Sequence, residues 1–307
     1  MKNTVNRGIY PAMLTPLTKD NKVDVGGVKA LTQWYAEKGC QGIFASCLSS
    51  EIFGLSLEER ILISKTTVEA APKGVDVVVS GHTMLPTAKG IDELKALADT
   101  GAKALVLITS RLAEENDDES VILRNLESVM KAIPDIDLGL YECPVPYQKF
   151  ASPELLRFCA ETDRFVFMKD TSCSVTDIKP KLEAVKGSRF QIFNANSATL
   201  LDSVKDGAAG LCGVMANYHP DLYVRLMELA DNGDYEKAQE LQDILGVLSS
   251  ISYGNYPVTA KAYLQTEGLP FEACITRARP EGLVSEAERY EIEQRFALTN
   301  RLRKEWL

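Results

Sequence analysis

The reactive side chains of this sequence are concentrated in three short segments. In the first, Phe165-Val166-Phe167-Met168 runs directly into Lys169 and Asp170. Taking an ammonium group out of water is costly, and the cost falls if the amine is left neutral. A neutral amine is a nucleophile, and with a carbonyl compound it forms an imine. The competing reading makes Lys169 a surface cation paired with Asp170, which the preceding apolar run disfavours. The second segment, Leu138-Gly139-Leu140-Tyr141, leads into Glu142-Cys143-Pro144. Tyr141 reads either as a core tyrosine with its hydroxyl on a backbone carbonyl or as a phenol that moves protons beside an imine. The third, Ser46-Cys47-Leu48-Ser49-Ser50-Glu51, is a loop whose N–H groups and hydroxyls suit a carboxylate, or else a plain turn.

Elements that carry these segments follow from patterning. Eight apolar or β-branched runs fall at 9–14, 42–46, 75–80, 104–108, 138–141, 165–169, 190–194 and 209–214. They lack polar alternation, as expected of strands buried on both faces of a parallel sheet. Amphipathic windows follow them at 25–37, 57–70, 85–100, 119–132, 153–161, 175–185, 198–205 and 220–229. The second window opens with Ser56-Leu57-Glu58-Glu59, a capping box. Eight β/α units in succession predict an α/β fold of the (β/α)8 TIM-barrel type, spanning 1–232. Beyond it only helices are expected, near 235–252, 257–267 and 286–305, with breaks at Gly254, Gly268-Leu269-Pro270 and Pro280-Glu281-Gly282. Residues 233–307 are therefore read as a three-helix C-terminal helical appendix packed on the barrel. In such a barrel the chemistry sits at the C-terminal ends of the strands, where Tyr141 and Lys169 fall on adjacent strands at one height.

Composition narrows the partners. The 307 residues carry 34 Lys+Arg against 43 Asp+Glu, a net charge of −9, which disfavours nucleic acid as a ligand. No run approaches the ~20 apolar residues of a membrane span, and the first seven residues are not followed by an apolar segment, so no membrane association and a cytoplasmic location are expected. Seven cysteines without a C-x-x-C pair read as reduced thiols. The two histidines, His82 and His219, are expected to be hydrogen-bonded structural residues, and neither a metal nor a cofactor is expected.

Together these segments resemble the dihydrodipicolinate synthase / N-acetylneuraminate lyase family of pyruvate-dependent class I aldolases. Thr15-Pro16-Leu17 with Val23-Asp24 is similar to the family's "TPF…iD" opening. Ser49-Ser50-Glu51 ahead of Leu55-Ser56-Leu57-Glu58-Glu59-Arg60 resembles its "G-[ST]-T-G-E…L-S-x-x-E-R" loop and helix. Tyr141 with Pro144 resembles "Y-N-x-P", and Lys169-Asp170-Thr171-Ser172 resembles "K-[DE]-[ST]-S". Gly207-Ala208-Ala209-Gly210 with Asn217 and Pro220 resembles "G-A-x-G…x-N-x-x-P", and Pro257 through Lys261 resembles "N-P-x-x-x-K". The resemblance implies that Lys169 is the Schiff-base lysine, Tyr141 the catalytic phenol, and Ser49 and Ser50 the binders of the pyruvate carboxylate. Glu142, where most members have asparagine, and Cys212 join them as substrate-binding candidates. It also implies a homotetramer built as a dimer of dimers.

Departures from the pattern shape the reading. Leu48 replaces the first loop hydroxyl, Ser110-Arg111-Leu112 replaces the synthases' tyrosine pair, and Pro146 stands where they place an arginine for aspartate semialdehyde. Tyr141 then needs another proton partner: Glu142, Ser49 or the substrate's own carboxylate. The expectation is a Schiff-base lyase acting on pyruvate or another 2-keto acid with an aldehyde or sugar acid, by aldol cleavage and condensation or by dehydration. Two alternatives stay open: a dihydrodipicolinate synthase proper, and a catalytically degenerate keto-acid-binding regulator.

Overall fold

A computed structural model describes residues 4–250, 255–278 and 283–307. The eight apolar runs form eight parallel strands: β1 (Gly8–Ile9), β2 (Gly42–Ala45), β3 (Asp76–Val79), β4 (Ala104–Ile108), β5 (Asp137–Tyr141), β6 (Phe165–Asp170), β7 (Gln191–Asn194) and β8 (Gly210–Leu211). They are ordered β1-β8-β7-β6-β5-β4-β3-β2, and a parallel bridge from Ala12 to Phe44 joins the two ends. The outer strands are shorter than the apolar runs that contain them. Pro11 has no N–H for a ladder, and past Ile9 the chain is held to its neighbours by single bonds, such as Met13 N to Phe44 O at 3.0 Å. β1 and β8 approach so closely that a Cβ on Gly210, whose φ is +148°, would lie 1.9 Å from the Gly8 carbonyl oxygen. Only glycine fits there.

Eight helices cover the barrel: α1 (Val25–Glu37), α2 (Leu57–Ala70), α3 (Ala88–Ala98), α4 (Glu119–Ala132), α5 (Pro153–Glu161), α6 (Val175–Ala184), α7 (Leu200–Lys205) and α8 (Pro220–Asp231). The capping box of α2 forms as read: Ser56 Oγ accepts from Glu59 N at 3.2 Å while Glu59 Oε2 accepts from Ser56 N at 2.9 Å. α3 starts three residues later than its amphipathic window, because Thr87 caps it after Pro86.

Three helices follow: α9 (Tyr235–Ser249), α10 (Val258–Thr266) and α11 (Glu286–Trp306), with α9 packed on α8 and α10 on α11. The expected end of α9 at Ser252 and the breaks at 254 and 280–282 lie outside the described residues. The link after α10 crosses back over the barrel mouth, where Leu17 pairs with Ala273 in an antiparallel bridge. Buried Lys261 of α10 anchors that link, donating to Ile275 O at 2.6 Å and Glu51 Oε1 at 2.9 Å. None of the described helices is long and apolar enough to cross a membrane.

Candidate active site

Successive strand residues point to opposite faces, so residue parity sorts the barrel interior from the layer beneath the helices. On β6, Phe167 and Lys169 face inward while Met168 packs outward; on β5, Leu138 and Leu140 pack outward and Tyr141 faces in. The interior is filled by a stack of rings. Tyr10 lies 4.6 Å from Phe193, Phe193 4.9 Å from Phe167, Phe167 5.6 Å from Phe44, and Phe44 5.4 Å from Tyr141. This plug closes the barrel and leaves its C-terminal end open to a cavity of about 870 Å³.

Lys169 stands at the floor of that cavity. The β5–β6 register sets it directly opposite Tyr141. Its Nζ lies 4.9 Å from the Tyr141 ring centroid and 5.7 Å from that of Phe44. Although the residue is only 5 % exposed, Nζ has no carboxylate partner and no hydrogen bond among the described residues. Burial, first of all, holds the Tyr141 phenol well above the ordinary tyrosine range, so it stays protonated at neutral pH. The thiols of Cys143, Cys47 and Cys212 lie close enough to act on it electrostatically.

The serine loop after β2 makes two consecutive 3-10 turns, Leu48–Ser50 and Ile52–Gly54. Ser46 and Glu51 take positive φ, 49° and 63°, an uncommon conformation for residues with a Cβ. Ser49 faces the cavity, and its hydroxyl has no partner among the described residues. Ser50 does not reach the cavity. Its Oγ donates to Met13 O at 2.6 Å and accepts from Cys47 N at 3.1 Å, tying the loop to the first strand's extension. Glu51 does line the cavity, but its carboxylate is committed to the bonds with Lys261, Thr276 and the Arg277 N–H that hold the C-terminal link over the mouth.

Parity also decides the fate of Glu142. With Tyr141 inward, Glu142 faces outward beside Asp170, and Lys181 of α6 reaches between them at 2.5 Å and 2.6 Å. Its carboxylate further accepts from Ala151 N at 2.9 Å and Thr171 N at 3.0 Å. Burial and the neighbouring Asp170 push Glu142 up to about 7, while the two carboxylates raise Lys181 against its own desolvation. Glu142 is therefore neither a wall of the cavity nor within reach of the Tyr141 hydroxyl as a proton partner. Cys212 is fully buried below the floor, its thiol pushed up to about 12 by burial. Of the six sequence candidates, the structure brings Ser49, Tyr141 and Lys169 together and keeps Ser50, Glu142 and Cys212 off the cavity surface.

Both histidines lie away from the cavity lining. His82 is buried with Nε2 accepting from Ile108 N at 2.6 Å, and burial lowers it to about 4. His219 stacks on Tyr223 at 5.4 Å, but neither ring nitrogen has a hydrogen-bond partner among the described residues, so there the expectation of a hydrogen-bonded structural histidine holds for His82 and not for His219. No group of His, Cys, Asp and Glu among the described residues is arranged to hold a metal ion. Reading the sequence missed three polar residues of the cavity lining: Gln148, Thr171 and Arg277. Thr171 was accessible as the next inward position after Lys169. Arg277 carried no local signal, since it reaches the mouth only through the fold.

A profile of the dihydrodipicolinate synthetase family matches residues 5–297. The chain belongs to that family. Its members are pyruvate-dependent class I lyases and aldolases. Among curated relatives, the 4-hydroxy-tetrahydrodipicolinate synthase of Methanothrix thermoacetophila is 26% identical over 86% of this chain and 84% of that protein. Two solved structures share the fold. The sialic acid aldolase of Ruminococcus gnavus, solved as a catalytic lysine mutant, superimposes with a TM-score of 0.87 at 22% identity, covering 100% of both chains. An E. coli K12 prophage protein of the dihydrodipicolinic acid synthase family, solved with pyruvate, gives 0.83 at 21% identity over 96% of this chain and 98% of that one.

Proposed function

We propose that this protein is a Schiff-base-forming lyase that acts on pyruvate or another 2-keto acid through Lys169. One observation carries the reading: of the three buried lysines among the described residues, Lys181 and Lys261 are ion-paired there and Lys169 is not. An amine in an open cavity with no carboxylate holding it is the one positioned to attack a carbonyl. Neutral Nζ adds to the C2 carbonyl, and loss of water from the carbinolamine gives an iminium ion. That iminium accepts the electron pair when the C3–C4 bond breaks, or when C3 loses a proton to form the enamine that makes the bond. Tyr141 supplies and removes the protons of the carbinolamine and of the departing alkoxide. Ser49 binds the keto acid's carboxylate.

The test is reductive trapping. Pyruvate with borohydride, followed by peptide mass mapping, should label Lys169 alone; no adduct, or one on another lysine, refutes the assignment. Trapping without turnover of any aldehyde or sugar acid marks a keto-acid-binding regulator instead. The name of the curated relatives favours a second reading, condensation of pyruvate with aspartate semialdehyde; rates typical of a working enzyme in that assay would establish it.

On the resemblance we also propose a homotetramer, which light scattering showing a monomer at micromolar concentration would defeat. A cytoplasmic location is supported by seven cysteines, all unpaired. Fractionation of the source cells tests it.

A further inference from the structure

A three-carbon keto acid on Lys169 fills only the floor of a cavity of about 870 Å³, so the rest must receive the other reactant. Two kinds of polar tail would each need something specific from the walls. A second carboxylate needs an uncommitted cation, and a polyol chain needs donors and acceptors that are not already bonded.

Besides Lys169, the cation lining the cavity among the described residues is Arg277. A guanidinium has five N–H donors, and here all five are committed. Nε donates to Asn21 Oδ1 at 3.2 Å, Nη1 to Gly54 O at 3.0 Å and Glu59 Oε2 at 2.7 Å, and Nη2 to Asn21 O at 2.6 Å and Glu59 Oε1 at 2.7 Å. Its charge is neutralised by the Glu59 pair. Arg111 lies over the Phe53 ring, 5.5 Å from the centroid, and does not line the cavity.

Most of the side-chain groups among the described residues that could read a hydroxyl are similarly engaged, the Tyr256 hydroxyl accepting from Asn217 Nδ2 at 3.2 Å. Gln148 spends its amide N–H groups on Thr171 Oγ1 at 2.8 Å and Glu142 O at 3.3 Å. Thr171 Oγ1 in turn donates to Glu142 O. Glu51 is held by Lys261, Thr276 and Arg277 N. Ser49 is assigned to the keto acid. What remains facing the second reactant is largely carbon: Leu48, Phe53, Val145, Val214 and Pro257. Phe53 and Val145 are 39 % and 37 % exposed, apolar surface that an apolar tail would cover.

We propose that the second reactant is an apolar aldehyde with an aromatic or branched hydrocarbon tail, seated on Leu48, Phe53 and Val145. The proposal rests on the imine reading above. In the condensing direction the Lys169-bound enamine's C3 bonds to the aldehyde carbon. The aldehyde oxygen takes a proton from Tyr141, and water then releases a 4-hydroxy-2-keto acid, returning the water lost when the imine formed. Cleavage is the reverse.

The experiment has two parts, which separate the two claims. Borohydride trapping with pyruvate alone tests the imine, and its failure overturns both. With trapping established, pyruvate consumption is compared for benzaldehyde, glyceraldehyde and succinic semialdehyde. The expected kcat/KM for benzaldehyde exceeds the others by about 10²-fold, the scale on which a hydrocarbon pocket discriminates. A faster reaction with either polar aldehyde, or none with benzaldehyde, overturns the proposal. Phe53→Ala should raise KM for benzaldehyde roughly tenfold while kcat and the trapping yield hold. Val145→Arg should reverse the preference toward the semialdehyde; an unchanged preference in both variants counts against the assigned wall.

Discussion

The two faces of the β5–β6 strand pair carry one lysine each, and their surroundings are opposite. On the outer face, Lys181 reaches from α6 between Glu142 and Asp170, a buried group of two carboxyl groups and one ammonium whose remaining acceptors take N–H groups from Ala151, Thr171 and Ser172. On the inner face, Lys169 has only the faces of Tyr141 and Phe44. Cation–π contact offsets part of an ammonium's desolvation, whereas hydrogen-bonded carboxylates hold the proton firmly. The difference separates a lysine committed to the structure from the one proposed to react: burial alone does not make an amine nucleophilic, and an amine held between carboxylates is not available to attack.

The largest effect that would break this comparison is the loss of the inner amine. Lys169→Ala should reduce turnover to background, at least roughly 10⁴-fold, with a urea midpoint equal to or above the parent's, because no partner is orphaned. A marked loss of stability would mean that Nζ has a structural role. Tyr141→Phe keeps the ring and removes the hydroxyl proposed to carry protons; kcat should fall roughly 10²–10⁴-fold, while trapping of pyruvate, read by mass, weakens far less.

On the outer face the effect moves from activity to stability. Lys181→Met leaves two carboxylates buried without their cation, and unfolding free energy from urea titration at pH 7 should drop by about 3–5 kcal/mol. Borohydride labelling of the folded variant should be unaltered. A neutral or stabilising result would show that the triad is dispensable.

Glu142→Gln sharpens the contrast with the smallest change. Glu142 is raised above the ordinary carboxylate value of 4.5 to about 7. Between those values the unfolded chain ionises this group while the folded protein keeps it protonated. Its contribution is thus full below about 4.5 and is lost as pH rises through about 7, roughly 3 kcal/mol at most. Thermal or urea midpoints across that window should decline in the parent and be flatter in Glu142→Gln. Equal slopes would place the titration elsewhere.

The sequence by itself determined most of the architecture. Eight apolar runs alternating with eight amphipathic windows admit few arrangements other than a barrel. The helix bounds at 25–37, 57–70, 119–132 and 153–161 coincide with their patterns because local capping by Asp24, Ser56, Asp118 and Ser152 sets their starts. Lys169 and Tyr141 were legible for a local reason too, since each ends a strand at the barrel's reactive end. The same two-residue alternation already implied that Glu142, one step past Tyr141, must face outward. What a single strand could not reveal was the occupant of that outer face, because Lys181 lies on a helix and joins Glu142 across 39 residues of chain. Ser50 was drawn off the cavity by Met13 O, and Glu51 and Arg277 met across 226 residues at the mouth. Periodicity fixes which way a side chain points; what it meets there depends on distant segments brought together by folding, and those partners decide whether a buried charge is neutralised, paired or free to react.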